Sequence, residues 1–308
     1  MKLSIILITN RYEPHVEWTL DSLFSQARFD DKIEVIIVAP DYCTLRGLER
    51  PNVRHHPPKP TIWSGPHRIT KADWWSAASQ RNTGICLATG DWVAFLDDRS
   101  VLLPGWLDCV NQAMQEQYCV CGTYQKVHDL VVDNGCVKSF KEIKSKFGIP
   151  ERDSRIEYAE RYWITHGMKP PFECPGEWTY GCSLALPLEW VLRVGGFDET
   201  CDGLSFEDSP FGLMLQNNNF PIYFDPRMKI IEDRTPGQCE PIALRRDKGV
   251  SPNDKSHALL KKLKDLKHVL LPPDLRGIRA MVQAGKSFPA PTTPATDWYD
   301  GQQINQFE

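Results

Sequence analysis

The sequence predicts an α/β protein with a doubly wound, mostly parallel sheet flanked by helices and a C-terminal extension. Short runs of Leu and β-branched residues, typical of parallel strands buried on both faces, alternate with segments of helical spacing. In such an alternating pattern, each helix connects one strand to the next parallel strand of a single sheet. The length of 308 residues, with 41% hydrophobic and 25% charged residues, is that of an ordinary globular chain.

Six elements are predicted in the first part of the chain. The first strand is a nearly continuous run of Leu and Ile, and the helix after it carries apolar residues on one face. A loop rich in Pro and His is expected at about 40–70. The predicted elements are, in order, strand 2–8, helix 13–26, strand 33–39, helix 73–87, strand 92–96 and helix 104–117.

Polar residues directly follow three of these strands. They are Asn10, Asp41 and Asp97. Because ligands of doubly wound sheets bind beyond the carboxyl ends of the strands, we expect all three to line one crevice.

The second half of the chain has a less regular pattern. Residues 126–180 have weak periodicity, and we expect a long functional loop there. The alternation resumes with a strand at SLALP, a helix at EWVLRVG and another helix beginning near Glu207. Past about residue 245, DKSHALLKKLKDLKH predicts a basic amphipathic helix, and the tail after Leu271 is Pro-rich and expected to be extended.

Composition argues against several classes of protein. The formal net charge of −4 disfavours a general nucleic-acid binder. No two of the ten Cys have C-x-x-C spacing, which disfavours zinc and thioredoxin-type sites. The first apolar run is short, and no run approaches the roughly 18 residues of a membrane span. We therefore expect a cytoplasmic protein with reduced thiols and at most peripheral membrane contact.

Two segments carry motifs that together resemble a known family. SQRNTGICLATGDWVAFLDDRSVLLPGWL resembles the central signature of family 2 glycosyltransferases of the GT-A fold, in which a basic-Asn-x-Gly helix precedes a strand ending in a D-x-D-type motif. GCSLALPLEWVLRVGGFDETCDGLSFEDSPF resembles the acceptor-side segment of that family, with G-G-F-D-E followed by an E-D pair. The resemblance covers roughly residues 1–230.

The resemblance implies an inverting hexosyl- or pentosyltransferase. It would move a sugar from a nucleotide-sugar donor, with a UDP-sugar favoured, to a hydroxyl of a glycan, lipid-linked or protein acceptor. It implies a catalytic domain over 1–245, with a nucleotide-sugar half at about 1–125 and an acceptor half at about 126–245. Residues 246–308 then form the extension.

The D-x-D-type motif raises the question of a metal. Asp97 and Asp98 are expected to hold Mg²⁺ or Mn²⁺ against the donor diphosphate, unless they only form a strand-end turn. Arg99 stands where the family commonly has a metal-binding acid. It either turns to phosphate or solvent beside a metal, or partly replaces the metal. We favour a metal, because two acids beside a diphosphate would repel it, with His257 or Asp233 as a further ligand.

Other donor contacts follow from the position of residues in the family pattern. Thr9, Arg11 and Glu13 follow the first strand, where the family binds base and ribose. Asp41 follows the second strand, but APDYCT departs from the usual D-x-S-x-D, which leaves the base open. Arg81 is expected to reach the base or the diphosphate, or else lies on the surface of its helix.

The acceptor side is expected around the E-D pair. Asp208 is the predicted general base, and Glu207 would orient it or touch the acceptor. The alternative is that both acids only complement a helix N-terminus. Trp178 and Tyr180 are expected to contact the acceptor sugar, or to lie in the core.

Two other functions remain open at this stage. One is a non-catalytic protein that binds carbohydrate or sugar nucleotide and derives from such an enzyme, which Arg99 would favour. The other is glycosylation of a nucleic-acid base, and only the basic stretch at 245–280 supports it.

Overall fold

The computed structural model describes residues 1–27, 32–61, 77–202, 207–236 and 274–289. The described residues form one mixed sheet with helices on both faces. The strands are β1 Leu3–Ile8, β2 Ile33–Val38, β3 Val53–His56, β4 Trp92–Asp97, β5 Ser100–Leu102, β6 Cys119–Asp133, β7 Cys136–Glu142, β8 Phe172–Glu173, β9 Ser183–Pro187 and β10 Ile222–Asp233. The α-helices are α1 Val16–Phe24, α2 Ala77–Leu87, α3 Trp106–Glu116, α4 Ser154–Tyr158, α5 Leu188–Val194, α6 Asp208–Asn217 and α7 Leu275–Gln283.

The main path of the sheet runs β3-β2-β1-β4-β9-β6-β10-β5. The pairs among β3, β2, β1 and β4 are parallel, as is β6 with β10. β9 lies antiparallel between β4 and β6, and β5 lies antiparallel to β10. The predicted α/β fold with a central sheet flanked by helices is therefore confirmed, but the sheet is mixed, since four of the nine strand pairings in the described residues are parallel. The antiparallel β9 pairs with both β4 and β6 and so connects the parallel strands β1–β4 to the remaining strands of the sheet.

Both faces of the central strands are buried, which explains their continuous apolar runs. Leu3, Ile5 and Leu7 of β1 pack into a core with α1 and α3. Ile6 and Ile8 pack on the opposite face, in a core with α2, α5, α6 and α7. Successive side chains of a strand alternate between faces, so a single strand supplies both cores.

The segment 126–180 is not the long loop predicted from its sequence. β6 continues to Asp133 and turns directly into β7, with which it forms an antiparallel hairpin. The turn is an Asn134-Gly135 pair with φ of 49° and 71°, the left-handed conformation that two-residue hairpin turns require. The weak periodicity arises because the hairpin is largely exposed beyond Val127 and Leu130. After it, α4 runs into a π-helix at Ala159–Ile164.

The C-terminal extension is described only in part. The predicted basic amphipathic helix, including His257, lies outside the described residues, as does the boundary predicted near 245. Residues 275–283, expected to be extended, form α7 instead. Leu275 and Ile278 form the apolar face of α7, and both are buried in the core that contains α2. None of the described helices is long and apolar enough to cross a membrane.

Gly84 sets how closely α2 lies on the sheet. A Cβ built on Gly84 would lie 2.3 Å from Cγ2 of Ile6, which is shorter than any normal contact. The two backbones therefore approach as closely as they do only because this position lacks a side chain.

We expect Gly84→Ala to lower the free energy of unfolding by about 1–2 kcal/mol, although Ala is the better helix former, because overpacking outweighs propensity in a rigid core. Urea unfolding measures the change. The control is Gln115→Ala on the exposed side of α3, expected to shift stability by less than about 0.5 kcal/mol. A stabilised Gly84→Ala would contradict the close packing.

Candidate functional site

A cleft of about 330 Å³ opens at the carboxyl ends of β1 and β4. Its position is where doubly wound sheets bind ligands, and its volume is in the range of small-molecule sites. It brings together residues from the first and second halves of the chain. The lining residues are Ile8, Thr9, Asn10, Arg11, Ala77, Gln80, Arg81, Asp97, Asp98, Tyr124, Lys126, Tyr180, Cys182, Glu207, Asp208, Glu232 and Arg234.

Arg81 occupies the centre of this cleft. It projects from α2, and its side chain is only 2% exposed. Nη2 donates to Oδ1 of Asp97 at 3.0 Å, and Nη1 forms ion pairs with Glu207 and, at 3.2 Å, with Oδ1 of Asp208. Burial disfavours its charge, but these carboxylates raise the pKa of Arg81 above its ordinary value. A fixed cation therefore joins the two predicted acidic motifs.

Gly181 makes room for this guanidinium. A Cβ at Gly181 would lie 2.4 Å from Cζ of Arg81. On another side, Cζ lies 5.3 Å from the centre of the Phe197 ring, within the range of a cation–π contact. The glycine of the GCS sequence at the start of β9 thus leaves the space that Arg81 occupies.

Asp98 lines the cleft, although its side chain is almost fully buried. Thr9 donates to its Oδ2 and Arg11 to its Oδ1, so both carboxylate oxygens have partners from the segment after β1. Burial raises the pKa of Asp98, while Arg11 and Thr9 oppose that rise. Asp98 therefore fixes the loop after β1 to the end of β4.

Arg99 points away from the cleft. Its Nη2 forms a buried ion pair with Asp233 at the end of β10, and its Nη1 donates to the carbonyl oxygen of Glu13 at 3.0 Å. Its guanidinium lies 5.5 Å from the ring centre of Trp18. The backbone of Arg99 is left-handed, with φ of 52°, which directs its side chain away from those of the two preceding acids. Neither predicted orientation, toward phosphate or toward solvent, is the one found.

Glu207 and Asp208 lie at the start of α6, and both line the cleft. Desolvation by burial raises the pKa of Asp208 to about 7; Arg81 opposes the rise and Glu207 adds to it. The Asp208 carboxyl therefore changes protonation near neutral pH, as a general base must.

The two predicted acceptor aromatics differ in position. Tyr180 lines the cleft, and its ring is stacked under the buried guanidinium of Arg155, at 4.0 Å from Cζ to the ring centre. Trp178 is instead packed edge-on against Tyr158 and Phe224, away from the lining. Tyr180 is thus the one of the pair placed to meet a ligand.

Two more predicted donor residues, Glu13 and Asp41, lie apart from the lining, so Asp41 does not share the crevice with Asn10 and Asp97 as predicted. The backbone carbonyl of Glu13 bonds Arg99 and its side chain is exposed, and Asp41 is also exposed beyond the end of β2. His257 lies outside the described residues. The roles predicted for Glu13, Asp41 and His257 stay predictions.

Sequence reasoning missed a basic and acidic group on the far wall. Lys126 and Glu232 face the cleft from adjacent strands β6 and β10, and Arg234 follows directly. Nη2 of Arg234 lies 2.7 Å from Oε1 of Glu232. The signal that could have found Glu232 and Arg234 is the alternating pattern of IYFDPRMKIIED, which is typical of a strand.

The residues predicted to hold a divalent cation do not form a fitting donor set. Asp97 and Asp98 are each bonded to an arginine, and Asp233 is paired with Arg99. Within the described ranges, no group of three His, Cys, Asp or Glu side chains is placed to hold a metal ion. The acids of the D-x-D-type motif act here as partners of arginines.

Comparisons with known proteins agree with this fold. The family model described as Glycosyl transferase family 2 matches residues 58–167. The crystal structure of S. aureus TarS 1-349 in complex with UDP-GlcNAc matches 85% of this chain at 16% identity, with a TM-score of 0.52. The complex of the same protein with UDP matches 77% at 16% identity, with a TM-score of 0.50.

The present chain spans only 65% and 61% of those two chains, respectively. No curated protein matches it by sequence. The predicted GT-A fold and the resemblance to family 2 glycosyltransferases are confirmed.

The ion pair of Arg99 yields a test. We expect Arg99→Met to lower the free energy of unfolding at pH 7 by about 3 kcal/mol, because the buried carboxylate of Asp233 loses this ion pair. Adding Asp233→Asn should restore part of the loss. Urea unfolding of the single and double variants measures both.

The pH dependence of that loss has a definite sign. Despite burial, the contacts of Asp233 with Thr235 and Arg99 hold its pKa below the ordinary value. The contribution of the pair is therefore present above about pH 4, the ordinary value for Asp, and disappears as the pH falls further. An equal loss at pH 7 and at low pH would contradict this assignment.

Proposed function

From the family 2 signature on a GT-A fold, we propose that this chain is a glycosyltransferase that moves a sugar from a nucleotide-sugar donor to an acceptor hydroxyl with inversion. One observation carries the proposal. Arg81 holds Asp97, at the donor-side strand end, and Asp208, at the acceptor-side helix, in one cleft. A bimolecular transfer needs both reactants in a single site, which this arrangement supplies.

The donor is proposed to lie along the segment after β1. Thr9, Asn10 and Arg11 line the cleft there, next to the buried Asp98. The solved TarS complexes contain UDP and UDP-GlcNAc, which supports a uridine nucleotide as the donor carrier. Asp97 is the less buried acid of the motif and faces the space where the sugar would lie.

Asp208 is proposed as the general base. It would take the proton of the acceptor hydroxyl while the oxygen attacks the anomeric carbon and the bond to the diphosphate breaks. A single displacement of this kind inverts the anomeric carbon and forms no covalent enzyme intermediate. Glu207 pairs with Arg81 and would thereby position the base rather than react itself.

The acceptor is proposed to enter beside Tyr180. Its ring lines the cleft near Asp208, and the stack on Arg155 fixes its orientation. A fixed aromatic face suits the apolar face of a sugar ring, which supports a carbohydrate acceptor.

We expect Asp208→Asn to lower the rate of UDP release from UDP-sugars by about 10²–10⁴-fold, since the carboxamide cannot accept the proton. Its affinity for UDP should stay within about twofold of the original, a difference of under half a kcal/mol. The matched control is Asp108→Asn on the exposed side of α3, which should release UDP at the unaltered rate. Full activity in Asp208→Asn would remove this residue from the role of base, and UDP binding without any turnover in the unaltered protein would favour a non-catalytic binder.

The pH profile tests the same group independently. Because Asp208 must be ionised to accept a proton, kcat/KM should rise with pH and level off above its pKa of about 7. Steady-state UDP release between pH 5.5 and 8.5 measures the profile. A flat profile over that range would contradict the proposed base.

A further inference from the structure

The far wall of the cleft carries two cations that the proposed transfer has not yet used. Lys126 and Glu232 are register partners in the parallel pair of β6 and β10, so their side chains share one face of the sheet. Arg234 lies two residues beyond Glu232, on that same face, and its backbone N–H donates to the carbonyl oxygen of Val127 at 2.7 Å. Both cations thus project from paired backbone into the cleft.

The basic groups of the cleft differ in how far they are neutralised. Arg11 is paired with Asp98, and Arg81 is surrounded by carboxylates. Arg234 forms an ion pair with Glu232. Lys126 has no carboxylate within 4.0 Å among the residues that the structure describes, and its Nζ lies 4.9 Å from the ring centre of Tyr124. Its charge is the one most available to an anionic ligand.

The carboxyl groups of the cleft repel a bound diphosphate less strongly than five free carboxylates would. Five carboxyl groups and four basic side chains line the cleft. Glu207 and Asp208 pair with Arg81, Asp98 with Arg11 and Glu232 with Arg234, so cations within the cleft already balance these four carboxylates. Asp97 is bonded to Arg81. The repulsion between free acids and a diphosphate, which favoured a metal at the level of sequence, is therefore reduced.

We propose that Lys126 and Arg234 bind the diphosphate of the nucleotide donor and stabilise it as the leaving group, in place of a divalent cation. This inference rests on the proposed transferase function. In the transfer, the bond between anomeric carbon and diphosphate oxygen breaks and its electron pair goes to that oxygen, where the two cations receive the charge. The acceptor oxygen forms the new bond, and its proton goes to Asp208.

Isothermal titration of the full chain with UDP and UMP, in EDTA and in Mg²⁺ or Mn²⁺, tests this inference. The unaltered protein should bind UDP in EDTA, with a dissociation constant within about threefold of that in metal. Lys126→Met should weaken UDP binding by roughly tenfold or more, the effect of a lost charge-assisted contact, and weaken UMP less because it lacks the β-phosphate. Lys126→Arg keeps the charge and should keep UDP binding.

The matched control is Lys141→Met, which removes the same charge from an exposed position on β7. It should leave UDP affinity unchanged, and thermal unfolding should show Lys126→Met to be folded. A strict need for metal in UDP binding, or an unchanged affinity of Lys126→Met for UDP, overturns the inference. Failure of the unaltered protein to bind any nucleoside diphosphate would instead overturn the proposed function.

Discussion

The buried guanidinium of Arg81 is the contact on which the arrangement of the cleft depends. Asp97 ends a central strand and Asp208 begins a helix more than a hundred residues later, and both carboxylates lie within ion-pair distance of this one guanidinium. Without that cation the two like charges would repel each other. Removing one partner from such a buried network leaves an uncompensated charge. The absence of a side chain at Gly181 leaves space for this guanidinium, and Gly84 lets α2, the helix that carries Arg81, lie close to the sheet.

Much of the first half of the fold was predictable because its signals are local. Continuous apolar runs, helical spacing and a strand ending in two acids gave β1, β2, β4, α1, α2 and α3 within a few residues. The cleft residues at the strand ends followed from the topology of parallel sheets. The prediction of a long loop after residue 126 is wrong, although the Asn134-Gly135 turn is a strong local signal for a hairpin.

What the sequence could not provide depends on pairing between distant segments. Lys126 and Arg234 share a wall only because β6 pairs with β10, about a hundred residues away along the chain. The partner of Arg99 is equally distant. Trp178 and Tyr180 are two residues apart, and which of them faces the cleft depends on the short turn that precedes β9. The residue types indicated which chemical groups are present, and the pairing of the strands determines which of these groups lie together in the cleft.

The ion pair between Arg99 and Asp233 also bears on how related chains would diverge. An arginine in the third position of the D-x-D-type motif has its counter-charge on a strand at the other edge of the cleft, so neither residue can change alone without leaving a buried charge. Homologues should therefore exchange the two positions together, with arginine accompanied by aspartate. Chains with an acid at the third position of the motif would lack the aspartate at the position of Asp233. The charges at these two positions would therefore distinguish two groups of homologues.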